Sequence, residues 1–365
     1  MKICLLANAA SIHTQRWATY FAEHGYDVTI LSLSDGEIPG VPVKRVGLEP
    51  RVLGRLAYLL SVLQVRRAIK RLKPDIVHAH YAGGYGLVGA LAGHHPLIIS
   101  AWGSDVLVAP REGRIMKRIV KACLDRADLV TSVAMHMSAT IRAMGFTGAM
   151  VTLPFGADTT VFYPREDEAE DATGPRLIVS TRNFEPIYNV HLLIEALPKI
   201  LAGAPSAKVI VIGSGSLREQ LERRTRELGV EDHVEFTGKL AATEIAQYLS
   251  RAAIFVTTSL SDGNNISLNE AMACGAFPVV TDIPANREWI ENGRNGFLVS
   301  THDSDELAEQ ILAGLDAPNL RRAAADLNWK LIQQRGSWKT AMARMENEYF
   351  SIMNRVCTHD AFPGV

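Results

Sequence analysis

The chain of 365 residues carries 38 Lys+Arg against 39 Asp+Glu, and 47% of its residues are apolar. That length and composition suit a globular protein with a large buried core and favour two domains over one. Four cysteines, Cys4, Cys123, Cys274 and Cys357, stand apart with no CxxC pair and no metal-ligand spacing, which argues against a disulfide scaffold or a zinc site and for a reducing compartment, the cytoplasm. No uninterrupted apolar run reaches roughly 18 residues, and the N-terminus enters a strand directly, so neither a spanning helix nor a signal peptide is expected. No nucleic-acid partner is expected either. The charge is unevenly spread: residues 1–165 carry 19 Lys+Arg against 11 Asp+Glu, whereas residues 166–365 carry 19 against 28. A basic first half suits contact with something anionic, and equally an ordinary solvated face.

Residues 2–8 and 27–33 read as buried strands flanking a helix from Thr14 to His24 that ends at Gly25, a β-α-β opening. The turn after the first strand, Asn8 to His13, lacks the G-x-G-x-x-G pattern, so no dinucleotide is expected there. Arg51 to Lys73 reads as a helix with Leu53, Leu56, Leu59, Leu60 and Leu63 at helical spacing and Arg66, Arg67, Lys70, Arg71 and Lys73 toward its end. Arg111 to Lys121 reads as a second basic helix. Both suit peripheral contact with anionic lipid, although basic residues near a helix C-terminus also complement its dipole. The strands Asp75–His80 and Leu97–Ala101 deliver His80, Trp102 and Asp105 at their C-terminal ends, where ligands sit in open parallel sheets. Arg165 to Pro175, acidic and bounded by Pro and Gly, reads as the interdomain linker. The domains are therefore expected at 1–168 and 175–339, with a last helix from about 340.

The second half restarts with the strand Arg176–Thr181, followed by Arg182 just before a helix, a place where a guanidinium can hold a phosphate bidentately. The strand Val209–Ile212 runs into Gly213-Ser214-Gly215, and Val234 to Leu240 forms another strand and turn carrying Lys239. Then comes a β-branched run, Ile254 to Thr258, a loop of Ser, Asp, Gly and Asn, a helix Leu268–Cys274 and the strand Pro278–Thr281. A loop that leaves a strand and opens a helix aims backbone N–H groups and the positive helix end at whatever lies before it, which suits a phosphorylated ligand. Asp262 and Glu270 lie eight apart across it. Asp303-Ser304-Asp305-Glu306 contains an Asp-x-Asp, but it precedes a helix and reads as an N-cap with acids in the first turn rather than a metal site.

The stretch Asp262 to Val280, with Glu270-Ala271-Met272-Ala273-Cys274-Gly275 and Pro278-Val279-Val280, resembles the nucleotide-sugar loop of the retaining glycosyltransferases of family four. Their hallmark is an acidic residue, seven others, then Glu-Ala-Met-Ala-x-Gly-x-Pro-Val-Val. Asp262 stands where that family most often has a first Glu. The resemblance implies an α/β GT-B fold, two Rossmann-like doubly wound domains facing across a cleft, with the C-terminal helix crossing back to the first. It implies a nucleoside-diphosphate sugar as donor substrate, no cofactor and no metal, and a sugar, glycolipid or small-molecule acceptor on the first domain. By the same resemblance Arg182 grips the diphosphate, Gly213, Gly215 and the turn at Lys239 and Leu240 border the nucleotide, Asp262 with Gly263, Asn264, Asn265 and Ile266 meets the donor sugar, and Glu270 holds the ribose. Arg182, Asp262, Trp102 and Asp105 are the candidate catalytic residues. Two further departures stand out: Trp102 occupies a place where the family commonly has a His, and Tyr188 falls where a Lys usually accompanies the Arg.

The expected function is metal-independent, retaining transfer of a sugar to an acceptor hydroxyl in glycan, glycolipid or metabolite biosynthesis. The competing classes are a GT-B protein that binds a sugar nucleotide or glycan without transferring it, and a nucleotide-sugar epimerase.

Overall fold

The structure, a computed structural model, describes residues 1–48, 54, 56–165 and 176–361. The acidic linker stretch 166–175 and the expected helix start at Arg51 lie outside the described residues. The chain folds as two compact units, Met1–Leu153 joined by the chain from Met342, and Pro154–Ala341.

In the first unit seven parallel strands, β1 (Lys2–Leu6), β2 (Asp27–Ser32), β3 (Val43–Arg45), β4 (Ile76–His80), β5 (Leu97–Ala101), β6 (Leu129–Ser132) and β7 (Met150–Thr152), stand in the order β3-β2-β1-β4-β5-β6-β7. The central strands β4 and β5 are buried throughout, because helices cover both faces of a parallel sheet. The order reverses between β1 and β4, the kind of point beyond whose C-terminal strand ends open parallel sheets take their ligands.

The second unit repeats the plan with six parallel strands, β8 (Leu177–Ser180), β9 (Lys208–Ile212), β10 (Val234–Gly238), β11 (Ile254–Thr257), β12 (Phe277–Thr281) and β13 (Phe297–Val299), ordered β10-β9-β8-β11-β12-β13. Here the reversal falls between β8 and β11. The unit begins at Pro154, ahead of the linker read from the sequence, because Ala157 and Phe162 are buried among its core residues and Ala157 bridges to Ser337. Short apolar segments of that kind carry no periodicity that assigns them to either side.

Two helices depart from expectation. The first runs Leu56–Leu72 and buries Ala57, Ser61, Val65 and Ile69, leaving Leu56, Leu59, Leu60 and Leu63 49–64% exposed. The leucine stripe therefore faces away from the core, which takes small and β-branched residues close to the sheet. The second begins at Arg114 rather than Arg111, since Gly113 at φ 151° breaks the backbone after a short 3-10 turn, Ala109–Glu112.

The last helix, Trp338–Ala361, starts in the second unit and belongs to the first from Met342 on. Its anchor is Tyr349, fully buried against Trp17 and Phe21. Trp17 Nε1 donates to the Tyr349 hydroxyl at 3.4 Å, and the hydroxyl meets His78 Nδ1 at 2.7 Å. An indole N–H only donates, so the phenolic oxygen accepts from Trp17. His78 Nε2 lies 2.7 Å from Ser100 Oγ, which in turn meets Thr131 Oγ1 at 2.6 Å. Burial keeps this imidazole neutral by pushing its pKa down to about 3. Tyr349→Phe removes the buried hydroxyl that meets Nδ1 and the indole N–H, so it is expected to lower unfolding free energy by about 1–3 kcal/mol in urea titrations.

Candidate functional site

At the reversal point of the second sheet, the ends of β8 and β11 bring Arg182 and the 258–265 loop together. Arg182 Nη2 forms an ion pair with Asp262 Oδ2, the two side chains only 10% and 16% exposed. Nη1 donates to Asn265 Oδ1 at 3.3 Å, and the guanidinium carbon lies 4.3 Å from the centroid of the Tyr188 ring. Its Nε–H is buried and has no hydrogen-bond partner among the described residues.

The surrounding backbone explains why this cation stays put. Ser267 Oγ, in the first turn of the helix Ile266–Cys274, donates to the Thr181 carbonyl at 2.9 Å. Thr258 Oγ1 donates to the Asn189 carbonyl at 2.8 Å, and the Leu260 N–H to the Ile187 carbonyl at 2.9 Å. Gly213 and Gly215 serve the same purpose. A Cβ on Gly213 would lie 2.2 Å from the Arg182 carbonyl oxygen, and one on Gly215 2.5 Å from that of Phe184. These glycines therefore let the turn after β9 close onto the Arg182 loop, where Phe184 N–H donates to Ser214 O at 3.0 Å and Leu217 N–H to Phe184 O at 3.0 Å. Gly213 N–H reaches the Gly238 carbonyl at 2.9 Å, which ties in the turn bearing exposed Lys239 and half-buried Leu240.

Asn265 caps the helix Ile266–Cys274 by accepting from Leu268 N–H at 3.1 Å, and donates to Asn286 Oδ1 at 2.9 Å. Beside it Asn264 accepts from Trp289 Nε1 at 3.2 Å and donates to Asn269 Oδ1 at 3.2 Å. Gly263 is buried in the same loop, Ile266 opens the helix, and Glu270 lies half-buried one turn further on. The helix thus presents its N-terminal dipole end beside a fixed guanidinium, an arrangement suited to an anion. Asp303 is seen to cap its own helix, accepting from Glu306 N–H at 2.9 Å.

Trp102 and Asp105 lie in the first unit, at the C-terminal end of β5. Asp105 is 5% exposed and accepts from the backbone N–H groups of Ala82 (2.8 Å), Gly103 (2.9 Å) and Trp102 (3.1 Å). Its carboxylate pins the loops after β4 and β5 together; burial raises its pKa while those amide bonds pull it down. Trp102, 8% exposed, lies between His80 (4.4 Å between ring centroids), Tyr81 (5.1 Å) and His13 (5.7 Å). His80 is buried, neither ring nitrogen has a hydrogen-bond partner among the described residues, and burial, reinforced by His78 and His13, holds it well below the usual imidazole range. His13 had no sequence signal, since it comes from the turn after β1. Tyr188 was noticed only for what it replaces; its contact with Arg182 spans a turn and a strand end that no local pattern joins.

Residues 2–134 match the family profile described as glycosyl transferase 4-like, and residues 164–327 that of glycosyl transferases group 1. Among curated proteins, the GDP-mannose-dependent alpha-(1-6)-phosphatidylinositol monomannoside mannosyltransferase of Mycolicibacterium smegmatis is 28% identical over 322 residues, covering 81% of this chain and 79% of that one. Among solved structures, sucrose-phosphate synthase of Thermosynechococcus elongatus superposes with a TM-score of 0.83 at 18% identity, over 97% of this chain and 100% of that one. Anabaena HepE in complex with UDP gives 0.82 at 21% identity, over 96% and 100%. These similarities establish the GT-B fold.

Asn265→Ala removes the helix cap and one hydrogen bond to Arg182 together. It is expected to lower stability by about 1–2 kcal/mol in thermal or urea unfolding.

Proposed function

The chain belongs to the group 1 glycosyltransferases, and from that premise we propose that it moves a sugar, with retention and without a metal, from a nucleoside-diphosphate sugar to an acceptor hydroxyl. The observation that carries this reading is Arg182, a nearly buried cation fixed beside a helix N-terminus. Transfer breaks the bond from the anomeric carbon to the diphosphate oxygen and forms one to the acceptor oxygen, while the acceptor proton passes to the departing diphosphate. The charge that builds on that diphosphate is the main demand, and preorganised donors of this type are each typically worth about 3–4 kcal/mol in the transition state. Arg182 and the helix start at Ile266 meet it, Glu270 takes the ribose, and the first unit receives the acceptor.

The base is open to test, because the mycobacterial relative is named for GDP-mannose and the HepE structures hold UDP or UDP-glucose. A thermal-shift panel of nucleoside diphosphates and their sugars, run with and without chelator, is expected to give a chelator-insensitive rise from one base. Arg182→Ala is expected to cut turnover about a hundredfold or more. Turnover within a few-fold of wild type would remove Arg182 from the mechanism. Donor binding without turnover in any acceptor screen would favour the non-catalytic reading, which the departures at Trp102, Tyr188 and Asp262 motivate.

The same reading places the acceptor side near a lipid surface. Exposed Leu56, Leu59, Leu60 and Leu63 lead along the helix Leu56–Leu72 into exposed Arg66, Arg67 and Lys70, and Ile115, 75% exposed, neighbours Arg114 and Arg118. Apolar groups flanked by cations suit the interface of an anionic bilayer, and the mycobacterial relative's name specifies a phosphatidylinositol acceptor. Among the described residues no helix is long and apolar enough to cross a membrane. Co-sedimentation with phosphatidylglycerol vesicles is expected, weakening at high salt and in a Leu60→Asp, Leu63→Asp variant; equal recovery with neutral phosphatidylcholine would refute the charge component.

A further inference from the structure

At the end of β8 Arg182 stands alone where the resemblance leads one to expect an Arg and a Lys, and the residue in the second place, Tyr188, lies against it. We propose that Tyr188 is a positioning residue for Arg182, its ring holding the guanidinium in place so that the cation keeps a fixed direction toward the donor diphosphate. The inference rests on the nucleotide-sugar reading above and concerns a residue to which that reading gives no role.

An arginine side chain left to itself samples many rotamers, and fixing it costs conformational entropy. Three contacts act on Arg182. Asp262 takes the Nη2 end and Asn265 the Nη1 end. Two contacts at the ends leave the group free to tilt about the line joining them. The Tyr188 ring, 4.3 Å below the guanidinium carbon, opposes that tilt, and a largely desolvated cation over a ring is held more tightly than an exposed one.

Tyr188 is itself held. It ends the 3-10 turn Pro186–Tyr188, whose exit at Asn189 has φ 48°. The Asn189 amide donates to the Thr301 carbonyl at 3.1 Å, and the Tyr188 carbonyl accepts from Thr258 Oγ1 at 3.2 Å. The ring also packs against the apolar core formed by residues such as Val190, Leu193 and Val211. A rigid surface with core behind it therefore faces Arg182. Asp262 and Asn265 take two of the five guanidinium N–H groups, and among the described residues the buried Nε–H has no partner. A lysine at 188 would add charge and leave this face bare; a tyrosine adds no charge and fixes the direction of the charge already there.

The test is a binding cycle read by calorimetry with UDP and GDP as probes, on wild type, Tyr188→Leu, Tyr188→Phe, Arg182→Ala and the double variant Arg182→Ala, Tyr188→Leu, each first shown to melt cooperatively. Tyr188→Leu is expected to weaken binding about tenfold, Tyr188→Phe to stay within twofold, and Tyr188→Leu to change nothing further once Arg182 is gone. An equal loss in both backgrounds, or a loss in Tyr188→Phe as large as in Tyr188→Leu, overturns the positioning role while leaving the glycosyltransferase reading intact. Wild type that binds neither nucleotide overturns both. The Arg182 Nε–H proton gives a second readout that needs no ligand. Over the ring face it resonates upfield, and Tyr188→Leu is expected to move it downfield; an unchanged resonance means the ring does not hold the guanidinium.

Discussion

The second unit's site depends on keeping one positive charge almost out of water. A guanidinium that is only 10% exposed is sustained by a carboxylate on one side, an amide oxygen on another and a ring on its face, because a desolvated charge without partners is several kcal/mol less stable. Those partners come from two pieces of chain: Asp262 and Asn265 from the loop after β11, Tyr188 from the turn after β8. They converge because β8 and β11 are neighbours across the reversal in strand order. The glycines of the turn after β9 complete the arrangement by letting a third segment touch the Arg182 backbone where any side chain would collide.

The first unit has the same strand order and a different chemistry at the same place. The ends of β4 and β5 carry neutral and aromatic groups, His80, Tyr81 and Trp102, with His13 from the turn after β1. The buried carboxylate there, Asp105, spends its lone pairs on three backbone amides and so acts on loop geometry. His78 and His80 are both kept neutral by burial, but only His78 is satisfied, through the relay that runs to Tyr349 on the last helix. Under the proposed function, a fixed cation beside a helix N-terminus in the second unit suits a charged donor, and the neutral, aromatic groups of the first suit a hydroxylic acceptor.

Much of this was legible in the sequence, and the residues show why. The parallel strands announce themselves as apolar runs such as Val209–Ile212 and Ile254–Thr257, since a sheet covered on both faces needs no alternation. The loop and helix from Asp262 to Cys274 carry a spacing specific enough to be recognised. Three things escaped. The leucines of the helix Leu56–Leu72 have helical spacing, and spacing says that they share a face without saying which way it points. The start of the second unit at Pro154 depends on where Ala157 and Phe162 are buried, a long-range fact. Gly213 and Gly215 border the nucleotide only by resemblance, and no local pattern shows that their turn also closes onto the backbone of Arg182 and Phe184.

The ion pair also bears on which chemistry the two acids support. A hydrolase that retains configuration through a covalent intermediate needs two carboxyl groups about 5 Å apart, one of them free to attack the anomeric carbon. Asp262 is committed to Arg182, and a carboxylate whose charge is spread into a guanidinium is a poorer nucleophile than a free one. Glu270 belongs to the helix that follows, one turn past its first residue. With the acid tied up as a counter-ion, the local resource is positive potential: a fixed guanidinium and a helix N-terminus side by side. That potential stabilises a leaving group that departs with negative charge, which a nucleoside diphosphate does and a neutral sugar alcohol does not. The shorter Asp at 262 fits the same logic, since it reaches Arg182 from the loop while Asn265 and Tyr188 occupy the other sides of the guanidinium.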